Sequence, residues 1–220
     1  MRNIFIGSMA ATMFLTAVQT QETLAQRRSS AEVKELLQQG RSLVQVGDYN
    51  RAIAVYQQAA ELEPKNASIY SGIGYLYALQ GNYPAALNAY RRATALNPNN
   101  SDYQYALGYV SGNLGDNLRA KEAYRRAIQL NRSNVNAYIG LATILLRLGE
   151  YNNAQWAYEQ AVKLAPRNPQ VYELRGTMLK KQGKAKEAIA YFKKARDLYQ
   201  QQGKYESVTR VEATLRQLGV

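Results

Sequence analysis

Residues 67–100 read ASIYSGIGYLYALQGNYPAALNAYRRATALNPNN, and the same plan recurs at a spacing of 34 residues on either side of them. With segments starting at Val33, Ala67, Ser101, Val135 and Pro169, Gly74 belongs to a column of Gly40, Gly74, Gly108, Ala142 and Gly176. Further along each segment come Ala52, Ala86, Ala120, Ala154 and Ala188, then Tyr56, Tyr90, Tyr124, Tyr158 and Phe192, then Ala59, Ala93, Ala127, Ala161 and Ala195. Chance does not align four columns in this way. A fixed period with small and aromatic residues at fixed places predicts an all-α fold in which one helical hairpin is repeated into a solenoid.

Turn chemistry marks where the helices begin and end. Gly47, Gly81, Gly115, Gly149 and Gly183 recur where a left-handed residue would close a first helix. Asp48, Asn82 and Asp116 follow as caps for a second helix, and Pro84 suits its first turn. Pro64, Pro98 and Pro166 stop that helix, while Asn66, Asn100, Asn134 and Asn168 cap the next one. In the first segment Ser29 with Glu32 forms a capping box. The small residues let paired backbones approach closely, and the ring that follows fills the gap toward the next hairpin.

These segments resemble tetratricopeptide repeats, whose pattern is met by Tyr70, Ile73, Gly74, Tyr77, Ala86, Tyr90, Ala93 and Pro98. The resemblance implies an α-solenoid wound as a right-handed superhelix, serving as a scaffold for protein–protein contacts. It assigns five repeats to residues 33–66, 67–100, 101–134, 135–168 and 169–202, preceded by a linker and cap at 26–32. Two departures stand out: Arg132 replaces the inter-repeat proline in the third segment, and Gln200 replaces it in the fifth, so the helix before Gln200 is expected to run on for another turn. Residues 203–220 then read as a capping helix with a stripe of Tyr205, Val208, Val211, Leu215 and Leu218.

The first 25 residues are of another kind. Arg2, an apolar run from Ile4 to Val18 and the small-residue end Thr23-Leu24-Ala25 predict a secretory signal peptide cleaved before Gln26, and hence a periplasmic or equivalent extracytoplasmic product. A retained membrane anchor is the alternative, though the run falls short of the roughly 20 residues a span needs. With no cysteine in the chain, a lipid-anchored lipoprotein is not expected.

Composition narrows the chemistry. The 220 residues contain neither Cys nor His, which removes the commonest nucleophile–base pairs and the usual zinc sites. Glu61 and Glu63 are the nearest approach to an acidic pair, and two residues apart on a helix do not face each other. No catalysis, cofactor or metal is therefore expected. The net charge of +12 raises the question of nucleic acid, anionic lipid or an acidic partner. Arg91-Arg92, Arg125-Arg126 and Lys193-Lys194 occupy one place in their repeats, on the outer face of the second helix, without the aromatic interleaving that would stack bases. Nucleic acid is not expected; a solvated face is, with docking on anionic lipid or polymer as the competing idea.

The binding surface is expected on the first helices, which line the concave side in the family resembled. Outside the packing columns these carry Leu37 and Arg41; Ser71, Gly72 and Tyr75; Tyr105, Ala106 and Tyr109; Ile139, Gly140 and Thr143; and Met178. The expected groove is tyrosine-lined, with small residues between the rings, and suits an extended peptide or helix of a partner protein. Some members of the family hold a partner's C-terminal carboxylate with paired Lys, Asn and Arg. Here Ser71, Tyr75, Ala106 and Tyr109 take the corresponding places, so that clamp is not expected.

Overall fold

The computed structural model describes residues 30–220. The expected signal peptide, its cleavage point and Ser29 of the expected capping box lie outside the described residues. Eleven helices are found among those residues: α1 (30–45), α2 (Tyr49–Leu62), α3 (Ala67–Leu79), α4 (Tyr83–Leu96), α5 (Ser101–Asn113), α6 (Asn117–Leu130), α7 (Val135–Arg147), α8 (Tyr151–Leu164), α9 (Pro169–Lys181), α10 (Ala185–Gln201) and α11 (Tyr205–Gln217). Residues 30–32, expected as linker and cap, already lie in α1. The helices form two compact units divided after Leu96. Each is an all-α stack of helical hairpins, the local form of a solenoid.

The turns follow from the residues that build them. The five hairpin glycines have φ between +73° and +82°, a conformation in which a Cβ would be strained. Asp48 and Asp116 then accept hydrogen bonds from the backbone N–H of Arg51 and Arg119, and Asn82 accepts one from Ala85. Between hairpins, Asn66, Asn100, Asn134 and Asn168 all accept from backbone N–H groups at the start of the next helix. The departure at Arg132 changes nothing here: α6 still ends at Leu130, and the side chain of Asn131 accepts from Ser133 N–H at 3.0 Å to hold the turn. At Gln200 the missing proline does matter. α10 runs 17 residues against 14 for α2, α4, α6 and α8.

Both alanine columns are wholly buried, at 0 % exposure in all ten places. In the first unit the ring of Tyr56 lies against Gly40 of its own hairpin and Gly72 of the next; in the second unit Tyr124 does the same between Gly108 and Gly140. A methyl group at Gly40, Gly108 or Gly140 would overlap the ring, so these positions are glycine because the aromatic occupies the space. The first unit's core is built on Val33, Ile53, Ile69, Ile73 and Leu76. That of the second has a central cluster around Leu141, Ile144 and Leu145 and a terminal one around Leu179, Phe192, Tyr199, Val211 and Leu215. α11 covers α10 as a cap, with Val211 and Leu215 buried, but Tyr205 at the start of its expected stripe is 71 % exposed. The packed stripe begins at Val208, and Tyr205, the first residue of α11, stays outside it.

Candidate functional site

In the second unit α5 packs on α7 and α7 on α9, so the first helices of three successive hairpins lie side by side. Their common face bears two adjoining cavities of about 270 and 390 Å³, which share Ile139, Thr143, Arg147 and Gln170 in their walls. The smaller is lined further by Tyr105, Tyr109, Tyr124 and Gly140, the larger by Glu173, Thr177, Lys181, Tyr199 and Arg210.

The smaller cavity is aromatic for a reason set by packing. Tyr124 is anchored between glycines in the core, and Tyr105 leans on it with ring centroids 5.9 Å apart. Burial raises the pKa of both hydroxyls, so they stay protonated and keep a donor. Tyr109, a turn further along α5, keeps 43 % of its surface exposed. On α7 the Thr143 hydroxyl donates to the Ile139 carbonyl at 2.9 Å. Arg147, the last residue of α7, donates from Nη1 across to the Gly112 carbonyl of α5 at 2.7 Å.

The larger cavity combines apolar walls from Ile139, Leu146 and Leu174 with polar groups held by a network. Arg210 of α11 donates to Glu173 through Nε (3.1 Å) and Nη2 (3.0 Å), and the Tyr199 hydroxyl donates to the same carboxylate at 2.7 Å. The carboxylate holds the Arg210 pKa above its ordinary value. Burial, then the hydrogen bond to Glu173, raises that of Tyr199. Tyr199 reaches Glu173 only because α10 continues past Leu198.

The structure brings together four of the expected residues, Tyr105, Tyr109, Ile139 and Thr143, in the wall of one cavity. The others belong elsewhere. Leu37, Arg41, Ser71 and Tyr75 lie in the first unit, where Leu37 packs partly into the core, Ser71 is half-buried, and Arg41 and Tyr75 are exposed. Met178 is a correction: it is fully buried and falls in the repeat column of Leu76, Val110 and Ile144, all core residues. Its neighbour Thr177 is the residue that repeats Tyr109 and Thr143 and lines the cavity; one residue on a helix turns the side chain by about 100°. Sequence reasoning also missed Arg147, Lys181, Glu173 and Arg210. Arg147 and Lys181 share one repeat column with Gln45, Leu79 and Asn113, and reading that column would have revealed two successive cations.

The basic pairs on the second helices are partly occupied within the fold. Arg92 lies over the ring of Tyr70 (5.7 Å) and Lys194 over that of Tyr172 (4.3 Å), equivalent positions in two repeats. Arg126 donates to Asn99 at 2.9 Å. Arg91, Arg125 and Lys193 remain exposed.

Comparison with known proteins agrees with this fold. One model described as tetratricopeptide repeat matches residues 37–101, 76–111 and 140–203, and a second of the same description matches 101–134. Among solved structures, MamA is 26 % identical over 80 % of this chain and 97 % of its own, with a TM-score of 0.68. YrrB, described as a TPR protein with an unusual peptide-binding site, is 22 % identical over 87 % of this chain and 97 % of its own (TM-score 0.64). A thermophilic TPR protein of Thermus thermophilus is 18 % identical over 83 % and 98 % (TM-score 0.68). The last two bear on the fold alone. No curated protein matches the sequence significantly.

Proposed function

Because the chain belongs to the tetratricopeptide-repeat family, a family of protein–protein interaction scaffolds, we propose that its second unit binds an extended peptide or helix of a partner protein across α5, α7 and α9. The observation that carries this reading is the exposed Tyr109 beside Ile139 and Thr143, in a cavity that adjoins a second one along the same three helices. A tyrosine held on a rigid helix offers large contact area at little entropic cost, and its neighbours leave room for a side chain rather than a reaction centre. The first residues of the chain support export, and we place the protein in an extracytoplasmic compartment on that ground. Intact-mass measurement on protein from its native host should find a mature N-terminus near Gln26; a chain beginning at Met1 in the membrane fraction would overturn this placement.

The binding reading is tested by capturing partners from the native host, identifying them by mass spectrometry, and measuring the purified partner against two variants. Tyr109→Ala should weaken it by about 30-fold, the effect of a central anchor worth roughly 2 kcal/mol, with helicity unchanged. Arg125→Glu with Lys193→Glu should matter little. The opposite pattern would transfer the function to the outer basic face and its docking on anionic lipid or polymer, a reading favoured by the exposure of Arg91, Arg125 and Lys193.

A further inference from the structure

The charge of the chain is not spread evenly. Residues 30–96 carry 6 Lys and Arg against 5 Asp and Glu, whereas residues 97–220 carry 19 against 10. The excess thus resides in the unit that holds the two cavities, and it enters the larger one. Arg147, Lys181 and Arg210 all line that cavity, and the one carboxylate among its lining residues is Glu173. Arg210 and the Tyr199 hydroxyl already occupy Glu173. Lys181 has no ion pair or hydrogen bond among the described residues, and Arg147 makes one bond, to a backbone carbonyl. Two exposed cations therefore face a depression without a matching anion, next to the apolar surface of Ile139, Tyr105 and Tyr109.

We propose that the partner segment is acidic: a carboxylate side chain meets Arg147 and Lys181 in the larger cavity while an adjacent apolar side chain enters the smaller one against Tyr109 and Ile139. This deepens the function proposed above and rests on it. The shared wall formed by Ile139, Thr143 and Arg147 makes the two subsites neighbours, so one short segment reaches both. Charge-assisted hydrogen bonds to a guanidinium and an ammonium favour a carboxylate over a neutral amide, and a cavity of about 390 Å³ between helices admits side chains rather than a membrane plane. The cations also give the encounter an electrostatic bias that salt weakens.

The test uses a random peptide library displayed on phage and selected on the immobilised full chain, with affinities of the recovered peptides measured on variants whose helicity and melting are checked first. The expected binders carry Asp or Glu beside an aromatic or aliphatic residue. Arg147→Gln and Lys181→Glu should each weaken them by about tenfold, and Tyr109→Ala should weaken them too. Lys181 is exposed, so its variant stands even if Arg147→Gln disturbs the bond to Gly112. Binders lost on Tyr109→Ala but without acidic bias, or indifferent to both charge variants, would overturn the acidic partner and leave the groove intact. Equal weakening by Arg125→Glu with Lys193→Glu would assign the effect to net charge and likewise overturn it. Binders untouched by Tyr109→Ala, or none at all, would overturn the groove itself.

Discussion

The first unit and the second pack in the same way and differ in charge and in the cavities along their first helices. Tyr56 between Gly40 and Gly72 repeats as Tyr124 between Gly108 and Gly140, and the alanines beside them are equally buried. Yet the first unit is nearly balanced in charge, while the second carries a large excess of Lys and Arg and the paired cavities. The columns of the repeat serve packing, and the residues that line the paired cavities fall largely at positions the columns leave free.

The strongest way to break the comparison is to overpack the same column in both units. Ala59→Leu and Ala127→Leu should each cost about 1–3 kcal/mol, because neither site has any exposed surface into which the larger side chain can turn. Denaturation midpoints would check this, and a neutral result in one unit beside a damaging one in the other would show that the columns are not equivalent. A feature confined to the second unit comes next. Tyr199→Phe removes the hydroxyl bound to Glu173 and should cost about 1 kcal/mol, with the loss concentrated in protection of α11 from hydrogen exchange.

A smaller effect is expected at Glu150, whose pKa is lowered first by the hydrogen bond from Lys121 (2.8 Å), then by that from Asn153. A depressed folded pKa stabilises the protein above the unfolded value, and that contribution is lost as pH falls through the folded one. Glu150→Gln should therefore melt slightly lower than the native chain at neutral pH, and the difference should vanish once acid protonates the carboxyl; a gap independent of pH would contradict the ion pair. The smallest effects belong to the outer faces. Arg91→Gln in the first unit and Arg125→Gln in the second should both stay within about 0.5 kcal/mol in stability, so a larger change at either would show that its guanidinium is held by the fold.

Much of the architecture was legible because it is local. Whether a glycine at a hairpin takes a positive φ, or an asparagine caps the next helix, depends on a handful of neighbouring residues, and Gly47, Asn66 and their counterparts behave as their chemistry requires. The extra turn of α10 agrees with the absence of proline at Gln200, but the same absence at Arg132 leaves α6 at 14 residues, so a missing proline permits the extension without dictating it. The candidate site was legible only in part. Tyr105, Tyr109, Ile139 and Thr143, expected by position, line one cavity, whereas Met178 lies one residue away from Thr177, a rotation that separates core from cavity. Tyr205 failed for a different reason: helical periodicity describes a face and does not say how far the neighbouring helix extends along it.

The sequence by itself determined the repeat, the hairpin turns, the buried columns and the absence of a Cys- or His-based site, since each depends on residue type, spacing or backbone preference. Only tertiary structure decided that Glu173, Tyr199 and Arg210 meet, although they lie on α9, α10 and α11. It also decided that Arg147 and Lys181 border the same cavity as that triad. The repeat column places Arg147 and Lys181 side by side, but no column links them to Glu173, Tyr199 and Arg210. Such meetings arise because stacked hairpins bring the ends of successive helices together across many residues of chain, and which charges are then left unmatched depends on the partners each side chain finds.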